Sequence, residues 1–358
     1  MPLVSATEDP EQKAETIIMK RIGNLYGKII SLENLRLADE KARRGKLRTH
    51  GVKVHDLNRE ANLLALHEAL LTKTFHTSKY DVFTIYEPKE RVIYRLPYYP
   101  DRIVHHAIMN VLEPIWVRTF THNTFSCIKK RGIEGCARHV DKILRKYEGK
   151  PLYCLKIDIR KYYPSIDHEV MKRLVRRKIK DADLLWLLDE IIDSAPGLPI
   201  GNYLSQYLAN LYLCYFMHWC NEVLRLDCEE YADDIVFYAT DKATLHKAFL
   251  LIRDKLENEL HLKVKGNYQV FPVAQNRYDK HGRALDYVGY LFFRNQKLIR
   301  KSIKKNFCRA AAKLNSRIPL PPPKEYKQVI ASWLGWAKHS NSTHLLQTIV
   351  TPNYYGKL

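Results

Sequence analysis

The chain is short of acid. Asp and Glu number 39 against 59 Lys and Arg, a formal net charge of +20 over 358 residues. A surplus of that size calls for a polyanionic partner, either nucleic acid or an acidic membrane surface. Long apolar runs are also missing: none approaches the roughly 20 residues that span a bilayer. The first twelve residues carry Glu8, Asp9 and Glu11 where a secretory leader needs an apolar core. No membrane association is therefore expected, and nucleic acid is the expected partner. The seven cysteines, at positions 127, 136, 154, 214, 220, 228 and 308, are odd in number and contain no Cys-x-x-Cys. Their scatter speaks against a zinc site and against a disulfide framework, and for buried thiols in a reducing cytoplasm. No internal repeat or low-complexity stretch is present. His105, His106 and His339 read as packing or hydrogen-bonding groups.

What is there begins with Tyr231-Ala232-Asp233-Asp234, set in Glu229-Glu230-Tyr231-Ala232-Asp233-Asp234-Ile235-Val236-Phe237-Tyr238. The flanks are β-prone and Asp is a turn residue, so the stretch reads as two short strands and a tight turn. Paired acids in a turn are most often a solvated loop. A second acid in a matching setting changes that balance: Leu152 to Ile159 is a strand signal carrying Asp158 near its end. Carboxylates on two adjacent strands repel unless a cation joins them, and a hard divalent ion takes oxygen ligands while leaving room for substrate phosphates. Asp158, Asp233 and Asp234 thus predict metal-assisted phosphoryl transfer, with two-metal chemistry as its form.

Along the chain, residues from Glu11 to about Leu71 carry a charged helical pattern with a basic knot from Lys41 to Arg48, either a solvated helix end or a phosphate contact. Tyr80–Tyr86 and Arg91–Arg95 alternate as strands around Pro88 and predict a hairpin. Helices are expected over Asp101–Trp116, His168–Lys180, about Leu184–Asp193, Leu204–Val223 and Lys242–Leu260, and strands about Lys263–Val264 and Tyr287–Phe293. From Arg294 to Arg317 nine cations follow with no acid between them; Pro319-Leu320-Pro321-Pro322-Pro323 ends that unit, and Glu325–His339 resumes as a helix. Like charges this dense predict a nucleic-acid surface, Arg300, Lys301, Lys304, Lys305 and Arg309 foremost. The fold class expected is α+β, an antiparallel sheet packed by helices.

These motifs, in this order, resemble reverse transcriptases of the prokaryotic lineage related to group II intron enzymes. Leu96-Pro97 with Asp101-Arg102-Ile103-Val104, Phe125-Ser126 with Arg131-Gly132, Asp158 to Asp167, Gly201 to Asn210, Tyr231 to Asp234 and Val288-Gly289-Tyr290 are each similar to a family motif, with an echo at Ser332-Trp333-Leu334-Gly335-Trp336. The resemblance implies a right-hand polymerase: an N-terminal helical extension (1–79), fingers (80–150, with part at about 168–200), palm (151–293) and a short basic thumb (294–358). It implies that Asp158, Asp233 and Asp234 are catalytic and, with the Ile159 carbonyl, hold two Mg²⁺ ions, Mn²⁺ being a possible substitute. Arg91, one residue off the usual spacing, would grip the triphosphate. Tyr163 would be the steric gate against a 2′-hydroxyl, its alternative being core packing. Ile200, Gly201 and Gln206 would lie at the nucleotide. Lys265 reads as a solvated lysine, with a general acid for pyrophosphate as the alternative.

Relatives mostly carry Gln-Gly and Ser-Pro where this chain has Ile200-Gly201 and Ser205-Gln206. The departure is most similar to reverse transcriptases of diversity-generating retroelements, which misincorporate at template adenines. It implies as partners a structured template RNA, the RNA–cDNA duplex, dNTPs and a basic four-helix-bundle accessory protein. Defence-associated bacterial reverse transcriptases and a stand-alone group II-like enzyme are the nearest alternatives. A retron-style Val-Thr-Gly, an HNH endonuclease and a splicing domain are not found. From other classes, a noncatalytic RNA-binding scaffold explains the charge but not the acids, and an RNA-dependent RNA polymerase conflicts with Tyr163.

Overall fold

The computed structural model describes residues 20–86 and 90–350. The chain divides into two compact units that it enters more than once. The first takes the chain up to Phe120, Lys161–Cys214 and Glu259–Leu262; the second takes Thr121–Arg160, Tyr215–Asn258 and the chain from Lys263 on. The class is α+β, as expected, with every named strand pairing antiparallel.

Among the described residues the first unit begins with helices α1 (Tyr26–Ile30), α2 (Leu32–Ala42), α3 (His50–Asp56) and α4 (Arg59–Leu71). Ser31 caps α2, its Oγ accepting from the Asn34 amide at 3.3 Å. Leu35, Ala38, Asp39 and Ala42 bury one face at helical spacing. Asp39, fully buried, is compensated by Arg43, by Arg59 at 2.6 Å and by the Tyr98 hydroxyl at 2.5 Å. Strands β1 (Asp81–Ile85) and β2 (Arg91–Arg95) form the expected hairpin, Asp81 opposite Arg95 and Ile85 opposite Arg91; Pro88 lies outside the described residues. Helix α5 covers Ile103–Thr119 and is entered through a helical turn over Tyr98–Arg102, so Asp101 lies near its start as expected. Asp101 is buried in that turn, where it accepts the Ser78 amide at 2.9 Å.

The second unit begins with α6 (Gly132–Lys146) and β3 (Tyr153–Asp158). The chain then passes through the first unit with α7 (His168–Lys178), capped by Asp167, and α8 (Ala182–Ile192), capped by Asp181. After α9 (Tyr203–Trp219) come β4 (Asp227–Tyr231), β5 (Asp234–Ala239), α10 (Lys242–Leu260) and β6 (Gln269–Pro272). The sheet runs β4-β5-β3-β6, so the strand bearing Asp158 lies inside it. Cys136, Ala137, Val140, Ile143 and Leu144 of α6 pack into one core with Cys154, Val236 and Tyr238. That apolar face is why residues 121–150 fold with the sheet rather than with the β1–β2 hairpin.

Two expectations need correction. The strand over Tyr287–Phe293 is two strands, β7 (Leu285–Tyr287) and β8 (Tyr290–Phe292), joined by a turn at Val288 and Gly289, both at positive φ. The apolar run hid the turn because its side chains stay packed on both arms. The basic stretch is not one single-sign face either. Strand β9 (Lys297–Ile299) precedes helix α11 (Lys301–Asn315), followed by α12 (Pro323–Lys338) and α13 (Thr343–Ile349). Lys297 pairs with Asp141 at 2.6 Å and Arg300 with Asp286, while Arg294 donates to the Tyr147 and Lys150 carbonyls. Among the described residues the seven cysteines are free thiols, five of them buried. No described helix is long and apolar enough to cross a membrane.

Candidate active site

Strand pairing brings the three acids together. Asp158, last residue of β3, stands opposite Asp234, first residue of β5. Tyr231 also pairs with Asp234 and closes a two-residue turn of Ala232 and Asp233. Such turns need positive φ, and Ala232 supplies it at 58°. The Asp233 carbonyl accepts the Ile159 amide at 3.0 Å, so the turn is tied to the strand that bears Asp158. Asp158 is held in turn: its carbonyl accepts the Lys265 amide at 2.9 Å, and Lys265 Nζ lies 2.5 Å from its Oδ1. Lys265 is thus an ion-pair partner of Asp158 rather than a solvated lysine.

Lys156 precedes Asp158 by two residues and shares its face of the sheet. Its Nζ reaches Asp234 Oδ2 at 3.1 Å and the Asp286 carbonyl at 2.7 Å. Tyr287, fully buried, donates its hydroxyl to the Asp234 carbonyl at 2.9 Å. Burial first, and then the charges of Asp158 and Asp233, push the Asp234 carboxyl up to about 6 against the pull of Lys156. Asp234 Oδ1 is buried without a hydrogen-bond partner.

An orphaned carboxylate oxygen and mutual repulsion among three acids are what a divalent cation relieves, so the donor set fits one in chemistry. Among the described residues, no three His, Cys, Asp or Glu side chains converge closely enough to enclose an ion as they stand. Lys156 and Lys265 hold two of the acids meanwhile, and hard cations of this kind complete their shells with substrate phosphates and water.

Two buried glutamates support the hairpin, and sequence reading passed over both. Glu229 accepts from the Tyr238 hydroxyl at 2.5 Å, and Glu230 from Thr124 at 3.1 Å. Burial pushes Glu230 up to about 8 and Glu229 well above the carboxylate range. Burial thus favours the neutral form of both carboxyls. Alternation alone placed them in a strand, but nothing in it showed that both faces of β4 are covered.

The residues expected at the nucleotide belong to the first unit. Arg91 is exposed at the start of β2. On the same strand, Tyr94 donates its amide to the Ile200 carbonyl at 2.9 Å. Gly201, at φ 123°, lies so close that a Cβ would sit 2.7 Å from the Tyr94 carbonyl, which requires glycine. Gly201 and Gln206 line a cavity of about 340 Å³ with Lys41, Arg44, Lys46 and Arg102. Of the neighbouring tyrosines, Tyr162 is the core residue, its hydroxyl on the Ala209 carbonyl at 2.6 Å. Tyr163 is half-buried. On α11, Lys301, Lys304, Lys305 and Arg309 are exposed, while Phe307, Ala311 and Leu314 face its core.

The family model of the reverse transcriptase (RNA-dependent DNA polymerase) matches residues 86–267, just over half of the chain. The chain is a member of the reverse transcriptase family. Over 153 residues the chain is 27% identical to Protein YkfC of Escherichia coli (strain K12), a match covering 38% of this chain and 40% of that protein. Among solved structures it is similar to apo telomerase from Candida tropicalis truncated from its C-terminal domain (11% identity, TM-score 0.44, 62% of this chain and 54% of that one). It is also similar to telomerase from Candida albicans in complex with a TWJ fragment of telomeric RNA (12% identity, TM-score 0.45, 76% and 61%). The chain thus spans less than two thirds of the length of each of these proteins.

Proposed function

We propose that the chain is an RNA-directed DNA polymerase that copies a structured template RNA from dNTPs. The observation that carries this reading is the register: Asp158 opposite Asp234, with Asp233 in the turn between the paired strands. In this reading Asp158, Asp233, Asp234 and the Ile159 carbonyl hold two Mg²⁺ ions, with Mn²⁺ as a substitute. When bound, such ions lower the pKa of the primer 3′-hydroxyl and neutralise charge on the triphosphate. The protein's own part is to hold the carboxylates in register, through the Ile159–Asp233 backbone bond and the Tyr287 hydroxyl on Asp234.

Tyr163 then excludes the 2′-hydroxyl, and Arg91 grips the triphosphate. Residues 80–120 and about 168–200 act as fingers, the β4-β5-β3-β6 sheet with α6 as palm, and the chain from Arg294 as thumb. The exposed cations of α11 take the RNA–cDNA duplex. Activity is placed in the cytoplasm.

Diversity generation is the subgroup the motif departure favours. An amide that could hydrogen-bond the correct nucleotide is replaced by the Ile200 side chain, a loss on the order of 1–3 kcal/mol of discrimination. A basic four-helix-bundle protein is the partner that goes with it.

The test is cDNA synthesis by purified protein on its neighbouring RNA, with Mg²⁺ and dNTPs, beside Asp233→Ala. Product that needs Asp233, with dNTPs preferred over NTPs, supports the polymerase. Errors concentrated opposite adenine support diversity generation, and faithful product assigns the enzyme to defence or to a stand-alone role. RNA binding without Asp233-dependent product leaves a scaffold.

A further inference from the structure

We propose that Lys156 is a displaceable counter-ion, which holds the Asp234 carboxylate, yields it to a divalent cation, and so sets how tightly the acids bind that cation. The inference rests on the two-ion reading above and adds to it a residue that regulates loading of the site.

The strand puts the lysine in place. Lys156 and Asp158 lie two residues apart on β3 and share one face of the sheet. Asp158 stands opposite Asp234 and Lys156 opposite Val236, so the lysine sits two residues behind the acids. Its Nζ reaches forward to Asp234 Oδ2 at 3.1 Å, the two side chains being 22% and 29% exposed. A pair at that depth is screened less than one on the open surface, yet solvent still reaches it and partners can exchange.

Lys156 has a second seat. The Asp286 carbonyl accepts from its Nζ at 2.7 Å, and the same Nζ lies 5.4 Å from the centroid of the Tyr287 ring. A lysine displaced from Asp234 therefore keeps a hydrogen bond and an aromatic face, and release costs it one partner rather than all. The ring is itself fixed, fully buried with its hydroxyl on the Asp234 carbonyl at 2.9 Å.

The pair leaves the acid half satisfied. Lys156 engages Oδ2, while Oδ1 is buried without a hydrogen-bond partner. A hard divalent ion takes carboxylate oxygens directly and carries twice the charge. Asp158 is turned the same way, its Oδ1 at 2.5 Å from Lys265 Nζ. Two of the three acids thus point at lysines rather than at a common centre, which accounts for carboxylates that stand in register without converging.

Two cations that want one carboxylate compete for it. Removing the lysine should then tighten divalent binding. A lysine that only propped the acids in place would, on removal, loosen it. The sign of the change separates the two roles.

The experiment titrates Mn²⁺ into the full chain and follows the free-ion signal by electron paramagnetic resonance, for wild type, Lys156→Met, Lys156→Arg and Asp233→Ala. Thermal melts with and without Mn²⁺ run beside it. Lys156→Met is expected to bind Mn²⁺ roughly tenfold tighter, one nearby positive charge having been removed. It should melt below wild type without Mn²⁺ and gain more from its addition. Lys156→Arg keeps the charge and should stay near the wild-type affinity. Should Lys156→Met fail to fold, Lys156→Gln gives the same comparison with a polar contact to the Asp286 carbonyl retained. An affinity in the uncharged variant equal to or weaker than that of wild type overturns the proposal. Mn²⁺ binding that ignores Asp233→Ala overturns the two-ion reading itself, whereas binding that needs Asp233 but ignores Lys156 overturns this inference alone.

Discussion

Two hairpin turns in the second unit are built alike and read very differently. Tyr231 and Asp234 close one, Tyr287 and Tyr290 the other, and each loop holds two residues. Both use positive φ, at Ala232 in the first and at Val288 and Gly289 in the second. The acid turn stands out in sequence because like charges interrupt a β-prone run. The second is invisible as a turn because its residues are apolar and stay packed, Val288 against the sheet core and Gly289 against Trp336 of α12. A turn that carries chemistry announces itself by residues that packing does not want. A turn that carries packing does not.

The sharpest way to break that comparison is to remove the chemistry from the first turn. Asp234→Asn keeps the shape and the pairing with Asp158 but removes the charge. Nucleotide incorporation is expected to fall by about three orders of magnitude, while the melting temperature holds or rises because a repelled, half-desolvated carboxylate is gone. Single-turnover extension beside a thermal melt reads both.

A second test addresses the support beneath that turn. Glu230 titrates near 8 in the folded protein and near its ordinary value of about 4.5 when unfolded. Over that interval the folded state holds the proton and the unfolded state does not. Stability is therefore greatest below the unfolded value, falls as pH rises towards about 8, and then levels. Glu230→Gln should remove this slope and gain about 2–4 kcal/mol at pH 8 relative to pH 5, measured by urea unfolding at the two pH values. An identical pH dependence in wild type and variant would show that Glu230 is not held neutral.

The second turn should fail through packing instead. In Gly289→Ala the new Cβ meets the Trp336 ring in a backbone held at φ 85°, and a loss of about 2–4 kcal/mol is expected. The smallest effect belongs to Ala232→Gly. Relief of left-handed strain offsets the greater flexibility of the unfolded chain, so stability should change by less than about 1 kcal/mol. Should Ala232→Gly prove as damaging as Gly289→Ala, the two turns are not built on different principles.

Legibility in the sequence followed the same division. The hairpin of Asp233 and Asp234, the strand of Asp158, the β1–β2 pairing and α10 were all readable, because periodicity and charge are local properties. The setting of Arg283 was not, since Phe271 and Gln269 reach it only through pairing of the loop with the end of β6. Lys156 stood in plain view two residues from Asp158, where strand alternation places both on one face, yet only the Asp158–Asp234 register shows which acid it meets. The basic stretch after Phe293 misled because charge sums are blind to partners: Asp141 and Asp286 neutralise Lys297 and Arg300 from elsewhere in the chain.

The sequence by itself determined the identity and order of the motifs, the α+β class, the net charge of +20 and the three acids. Each depends on residue type and on spacing along the chain, which strand and helix periods translate directly. Tertiary structure alone decided which cations are paired, why Gly201 must be glycine, and that Glu229 and Glu230 are buried, with their carboxyls pushed up by desolvation. Those properties depend on burial and on partners distant in sequence, and desolvation is a property of place rather than of residue.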